Sequence, residues 1–110
     1  MINYENWCSN LKDYWQRKDI TSLINLFSDF VEYYEEPNNR LTSFKEVKQV
    51  WEEIKNQNTT NISYKILCIN ENTCIVNFIL KDEVSYDMIY EIKLNTENKC
   101  IYFKQWYMEY

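Results

Sequence analysis

The sequence contains no glycine, no alanine and no histidine, and its single proline is Pro37. A chain without small residues cannot bring two backbones close together at low cost. This composition therefore favours an open, cone-like or barrel-like interior over a tight helical bundle. The absence of histidine and of any nucleophile–base pair excludes most hydrolase and metalloenzyme mechanisms.

Basic residues are also scarce. Twelve lysines and arginines stand against 17 acidic residues, which gives a net charge of −5. Binding to nucleic acid requires a basic face for the phosphates, so a nucleic-acid partner is not expected. No apolar run approaches the roughly 20 residues of a membrane-spanning helix, and the N-terminal segment lacks the apolar centre of a signal peptide. We therefore expect a cytoplasmic protein without a membrane partner.

The four cysteines, Cys8, Cys68, Cys74 and Cys100, show no CxxC spacing. Without histidine to complete a ligand set, neither a zinc site nor another cofactor is expected. Cys68 and Cys74 are predicted to face each other across a hairpin. Two states remain open for them, a bridge formed by oxidation and buried free thiols in a reducing cytosol, and we favour the second.

Aromatic residues are abundant, at 17% of the chain, with ten tyrosines and four tryptophans. Such large amphipathic side chains are typical of a cavity wall or an interface. A length of 110 residues suits one domain with its own core, residues 1–110, and is too short for two.

Apolar residues spaced by three and four indicate three helices in the first half of the chain. Asn3 is placed to cap the first helix and Asp19 the second. Ser43 and Glu46 form a capping box at the start of the third. The second helix leads into an aromatic, acidic strand that ends before Pro37. These helices are predicted at residues 4–17, 20–27 and 43 to about 54, and the strand at 29–36.

From Asn61 onwards the apolar residues alternate, which predicts four strands separated by polar turns. Helices followed by an antiparallel meander define an α+β class. The inner face is predicted to carry Tyr64, Phe78, Tyr90 and Phe103. If Ile92 pairs with Phe103 in the last hairpin, Tyr90 lies opposite Gln105 on that face.

Residues at the joints between these elements match a known pattern. Its first part is Trp15, Asp19, Leu23, Leu26-Phe27, Asp29, Val31, Tyr33 and Pro37, and its last part is the segment 99–107. The order resembles the SnoaL-like branch of the nuclear transport factor 2-like superfamily over nearly the whole chain. Members typically show Trp-x-x-Gly-Asp, then Leu-x-x-Leu-Phe, then an aromatic strand ending in Asp-Pro. Here Lys18 stands where glycine is usual, and Glu36 replaces the aspartate.

The resemblance implies three helices packed on a curved antiparallel sheet that forms a cone with a pocket at its open end. Ketosteroid isomerases, which are catalytic relatives, keep their general base just before the proline, so Glu36 would be the base. Their tyrosine donor falls on Leu11, and their protonated aspartate falls on Tyr90. Gln105 occupies a position where many members have glutamate.

Two classes of function follow. In the favoured class the domain binds a small apolar or carbonyl-bearing molecule, or serves as a dimeric assembly module, and its cone is either open to a ligand or filled by its own side chains. The alternative is an isomerase, cyclase or lyase with Glu36 as base and Tyr90 as hydrogen-bond donor. The residues expected around the ligand are Tyr14, Trp15, Trp51, Tyr86, Met88, Phe103 and Gln105.

Many members of the superfamily dimerise through the convex side of the sheet. In this chain, alternation along the last strand places Trp106 on the outer face. It shares that face with Tyr102, Lys104 and Met108. An exposed apolar row of this size favours an interface, so we expect a homodimer.

Overall fold

The computed structural model describes residues 1–109, in which three α-helices and a short 3₁₀ turn pack on a six-stranded sheet. The helices are α1 (Tyr4–Arg17), α2 (Ile20–Ile24) and α3 (Phe44–Glu52), and the 3₁₀ turn is Glu53–Asn56. The strands are β1 (Phe27–Glu36), β2 (Asn39–Leu41), β3 (Ile62–Ile69), β4 (Cys74–Leu80), β5 (Tyr86–Leu94) and β6 (Cys100–Glu109). This arrangement confirms the predicted α+β class. Within the described range, none of the helices has the length and apolar character needed to span a membrane.

All three predicted helix caps form. The side-chain oxygens of Asn3, Asp19 and Ser43 accept from backbone N–H groups three residues ahead, at 3.0, 3.2 and 3.3 Å. Each cap satisfies one of the donors that the first turn of a helix leaves free. Helix α1 also has the predicted bounds.

Helix α2 ends at Ile24, so the prediction that it continues to Phe27 is wrong. Two contacts from distant residues fix the backbone at Leu26 outside the helix. Cys100 N–H donates to the Leu26 carbonyl at 2.8 Å, and the Trp7 indole N–H donates at 3.0 Å. The chain therefore leaves the helix early, and Phe27 becomes the first residue of β1.

The strand order is β2-β1-β6-β5-β4-β3, so the sheet has two free edges and does not close. Strands β3 to β6 form the predicted antiparallel meander. Strand β1, in contrast, runs parallel to β6, with Tyr33 beside Phe103. The sheet is therefore mixed, which corrects the expectation of a wholly antiparallel one. Strands β1 and β6 begin at the same end of the sheet, where the Cys100 N–H donates to the carbonyl of Leu26, the residue before β1.

The predicted aromatic row on the concave face is confirmed. The Phe78 ring centroid lies 5.2 Å from that of Tyr64 and 5.3 Å from that of Tyr90, and Tyr90 lies 4.5 Å from Phe103. These rings and the helices enclose one continuous core. Aromatic rings packed at such distances stabilise the concave face by more than the burial of their apolar area alone.

A bulge in β3 overturns the prediction for Cys68. The pairing with β4 shifts between Ile66 and Cys68, so Ile69, not Cys68, lies opposite Cys74. One extra residue moves the following side chain to the other face of a strand. Cys68 is therefore exposed, whereas Cys74 is buried, and both thiols are free.

Candidate functional site

A cavity of about 520 Å³ lies between the concave face of the sheet and the helical layer formed by α3 and the 3₁₀ turn. This volume falls within the range of small-molecule pockets. The sheet contributes residues from β1, β2, β4, β5 and β6, and α1 contributes Trp15. The apolar and aromatic lining consists of Trp15, Tyr33, Leu41, Val50, Trp51, Ile54, Leu80, Tyr86, Met88, Tyr90 and Tyr107.

Two buried tyrosines, Tyr33 and Tyr90, line the cavity on either side of Phe103. Their ring centroids lie 4.7 and 4.5 Å from that of Phe103, and the Tyr33 ring is stacked on it. The side chains of the two tyrosines are only 2% and 0% exposed. The Tyr90 hydroxyl donates to Met88 Sδ at 3.2 Å, which is a weak acceptor. Burial raises the pKa of both phenols, so they remain protonated donors.

The Trp51 indole is the third polar group in this part of the cavity. Its side chain is 4% exposed, and among residues 1–109 its Nε1 has no hydrogen-bond partner. Burial is the main cause that raises the pKa of Tyr33, and the Trp51 N–H acts against it. The indole therefore lies near the Tyr33 hydroxyl, although it forms no hydrogen bond that meets normal geometry.

The polar lining of the cavity is acidic and contains amides, but no described lysine or arginine is part of it. Its members are Glu35, Glu46, Glu53, Glu109, Gln49, Gln57 and Gln105. Glu46 is already engaged, because hydrogen bonds from Thr42 hold the pKa of its carboxyl below the usual value. Within residues 1–109, no three acidic or cysteine side chains are grouped so that they could hold a metal ion. The electrostatic potential at this lining favours cations over anions.

Glu36, the predicted base, does not line this cavity. Side chains alternate along β1, so Tyr33 and Glu35 point into the cavity and Glu36 points away from it. Glu36 is exposed, contributes to a recess on the convex side of the sheet, and accepts a hydrogen bond from the Tyr107 hydroxyl at 3.3 Å. The expected convergence of Glu36 with Tyr90 and Gln105 is therefore wrong for Glu36.

Tyr90 and Gln105 do come together, because the predicted register of the last hairpin is confirmed. Gln105 Nε2 donates to the Glu35 carbonyl oxygen at 3.0 Å, which ties β6 to β1 at the cavity wall. Of the other residues expected around a ligand, Trp15, Trp51, Tyr86 and Met88 line the cavity. Phe103 does not, since it is fully buried between the two tyrosines.

Tyr14, also expected at the ligand, lies outside the cavity. It is half-buried, and the Arg17 guanidinium lies 5.5 Å from the centroid of its ring.

Sequence reasoning missed Tyr33 and Glu35, because it did not use the alternation of side chains along β1 to predict which of them face the cavity. It also missed one face of α3. The spacing of Glu46, Gln49, Val50 and Glu53 by three and four was the available signal.

The four residues predicted at an interface lie on the convex face. Trp106 and Met108 are 39% and 60% exposed, whereas Tyr102 and Lys104 are half-buried. The Lys104 ammonium lies 5.4 Å from the Trp106 ring centroid and 5.1 Å from that of Tyr34. These cation–π contacts cover part of the row and leave its distal end, at Trp106 and Met108, open to solvent.

No family model and no curated protein matches this sequence. Solved structures match its fold. An NTF-2 like protein of unknown function from Burkholderia xenovorans LB400 has a TM-score of 0.74 at 8% identity, over 93% of this chain and 80% of that chain. An uncharacterized protein with a cystatin-like fold from Silicibacter pomeroyi DSS-3 has a TM-score of 0.73 at 14% identity, over 97% and 77%. A protein from Sphaerobacter thermophilus has a TM-score of 0.77 at 5% identity, over 98% of both chains.

These identities are low enough that the comparisons establish the fold alone. The chain has the nuclear transport factor 2-like, or cystatin-like, α+β fold, which confirms the resemblance at that level. Neither of those two neighbours has an assigned function, and a fold by itself does not determine a ligand or a reaction.

Proposed function

We propose that this domain binds a small, largely apolar molecule in the cavity between α3 and the concave face of the sheet. The observation that carries the proposal is the cavity of about 520 Å³, whose wall combines apolar side chains with a few polar groups. Ligand sites commonly have this composition, in which apolar area supplies affinity and polar groups set orientation. A filled core would leave no such volume.

The chemistry of the wall favours a ligand with a carbonyl group. The Tyr90 phenol and the Trp51 indole would gain by meeting an acceptor, because the Tyr90 hydroxyl has only a sulfur partner and the Trp51 N–H has none among the described residues. The apolar surfaces of Leu41, Val50 and Met88 suit an aromatic or aliphatic body.

A thermal-shift screen of apolar carbonyl compounds tests the proposal, since a ligand that binds only the folded state raises the melting temperature. Val50→Trp fills the cavity from α3 and should abolish the shift. Lys45→Trp is the matched control, because Lys45 is exposed on the same helix and is not part of the lining. Equal shifts in both variants, or no shift with any compound, would contradict binding in this cavity.

A second proposed role is assembly through the convex face, with a second copy of the chain as partner. The supporting observation is the exposure of Trp106 and Met108 on the same face as Tyr102 and Lys104. Aromatic residues and methionine are enriched at the centres of interfaces. Ligand binding and dimerisation use opposite faces of the sheet and are compatible.

The alternative of an isomerase, cyclase or lyase is less well supported. Its proposed base, Glu36, lies on the far side of β1 from Tyr90. A general base must come within hydrogen-bond reach of the proton that it removes. Glu36→Gln separates the two functions: it should leave ligand binding in the cavity unchanged, whereas loss of a measurable isomerisation of a ketone would support the enzyme.

A further inference from the structure

Two polar hydrogens in the cavity wall lack adequate acceptors. The Trp51 Nε1–H has no partner, and its side chain is more than nine-tenths buried. The Tyr90 hydroxyl has only the Met88 sulfur, at 3.2 Å. The Tyr33 side chain lines the same cavity, close enough to Tyr90 and Trp51 for each to affect its ionisation.

A buried donor without a partner destabilises the fold, because its hydration is lost and nothing replaces it. Native proteins keep few such groups, and each one requires an explanation. Here the two donors come from separate elements, α3 and β5, and both side chains line one cavity together with Tyr33 of β1. A ligand oxygen that accepts from them would supply the missing hydrogen bonds.

The carboxylates of the same cavity restrict the charge of the ligand. Among the described residues, Glu35, Glu53 and Glu109 line it without a salt bridge, and no lysine or arginine accompanies them. An anionic ligand would meet these carboxylates without a counter-charge, and the net charge of −5 adds to the repulsion. A positively charged group near them is favoured instead.

We infer that the cavity selects an amino-ketone type of ligand, whose carbonyl oxygen accepts from Tyr33, Tyr90 and Trp51 and whose ammonium group lies among Glu35, Glu53 and Glu109. This inference rests on the proposed binding function and adds to it the chemical class of the ligand. The donor cluster and the acidic lining are independent observations, and each predicts a separate part of the ligand.

Four aromatic probes separate the two parts. Para-acetylbenzylamine has both the carbonyl and the ammonium group. Para-ethylbenzylamine lacks the carbonyl, para-methylacetophenone lacks the charge, and para-acetylbenzoate reverses it. Affinities measured by NMR titration of the wild-type protein should be highest for para-acetylbenzylamine. Loss of the carbonyl should weaken binding about fivefold to tenfold, the effect of one or two good hydrogen bonds.

Variants then assign each preference to its residues. Tyr90→Phe should abolish most of the carbonyl preference and leave the affinity for para-ethylbenzylamine unchanged. Trp51→Phe should also reduce the carbonyl preference. Tyr90→Phe loses only a hydrogen bond to sulfur, so its fold should persist. Glu53→Gln should weaken both ammonium probes about twofold to fivefold. Glu52→Gln is the matched control, since Glu52 is exposed next to Glu53 but outside the cavity.

The outcomes separate this inference from the broader proposal. If the probes bind and Val50→Trp blocks them, but the carboxylate probe binds as tightly as the ammonium probe or Tyr90→Phe keeps the full carbonyl preference, the amino-ketone inference is overturned. Binding in the cavity would then still stand. If none of the four probes binds wild-type protein, both the inference and the proposed function are contradicted.

Discussion

Tyr90 and Gln105 lie directly opposite each other on the concave face, and they differ in what they contact. Tyr90 is fully buried, with only a sulfur as hydrogen-bond acceptor, whereas Gln105 is half-buried and donates to the Glu35 carbonyl. The tyrosine therefore has an incompletely used donor in the cavity wall, and the glutamine holds the neighbouring strand.

Alkaline pH should destabilise the fold through Tyr33 and Tyr90. Burial raises the pKa of both phenols in the folded state above the unfolded value near 10. Their contribution to stability is therefore complete below that unfolded value and is lost as pH rises above it. Each tyrosine should lower the free energy of unfolding by about 1.4 kcal/mol per pH unit in that range.

Urea denaturation between pH 9 and pH 12, followed by tryptophan fluorescence, measures this slope on the wild type and on Tyr90→Phe. For Tyr90→Phe, the free energy of unfolding should fall less steeply with pH, by the contribution of one tyrosine. Identical slopes for the two proteins would show that Tyr90 ionises as readily in the folded state as in the unfolded chain.

Cys68 should be the one thiol among the four cysteines that reacts rapidly in the folded protein. It is exposed, whereas Cys8, Cys74 and Cys100 are buried. A hydrogen bond with Cys74, and then burial, raises the pKa of Cys8, and burial raises the pKa of Cys100. Titration with a chromogenic disulfide reagent should give one equivalent before denaturation and four after it.

Cys68→Ser is the control for that assignment and should remove the fast equivalent. Mild oxidation should not bridge Cys68 to Cys74, because Ile69 occupies the position opposite Cys74. An intramolecular Cys68–Cys74 disulfide, found by peptide mapping of oxidised native protein, would contradict the register of this hairpin.

Lys18→Gly should stabilise the protein by up to about 1 kcal/mol. Lys18 ends α1 in the left-handed region, with φ at 56°, where a Cβ is unfavourable and glycine is not. This conformation also gives a physical reason for the glycine that the resembling proteins carry at this point. The exposed hydrogen bond from Lys18 Nζ to the Lys55 carbonyl, at 3.2 Å, offsets little of the gain.

Thermal denaturation of Lys18→Gly, with Lys18→Ala as the matched variant, checks this expectation. Alanine removes the same side chain but keeps the Cβ, so it should not raise the melting temperature. A glycine variant no more stable than the alanine variant would show that the backbone at this turn is unstrained.

Trp106→Glu should dissociate the proposed dimer and leave a folded monomer. The Trp106 side chain is 39% exposed in the single chain, so a charge is tolerated there, but an unpaired charge in a desolvated interface centre is not. Sedimentation should show the dimer weakened by about 2 kcal/mol or more. Val84→Glu, at an exposed apolar position in the turn before β5, is the control. Wild-type protein that stays monomeric at high micromolar concentration would refute the dimer.

Several features follow from the sequence alone because their causes are local. The caps at Asn3, Asp19 and Ser43 need only a short polar side chain before a helical pattern, and all three form. The pairing of Tyr90 with Gln105 follows from alternation on two strands joined by a short turn, since a slip by one residue would expose the apolar face. The positions of Tyr86 and Tyr90 in the cavity wall follow from the same alternation.

Other features depend on contacts between distant parts of the chain. The Leu26 carbonyl accepts from Trp7 and Cys100, which holds the start of β1 beside the start of β6, parallel to it. The side of β1 on which a carboxylate lies then depends on that pairing, so the cavity receives Glu35 instead of Glu36. Likewise the bulge that exposes Cys68 has no signal in the sequence. Side-chain periodicity specifies which face of a segment is apolar, but backbone hydrogen bonds between segments decide where each strand begins and which side chain meets the cavity.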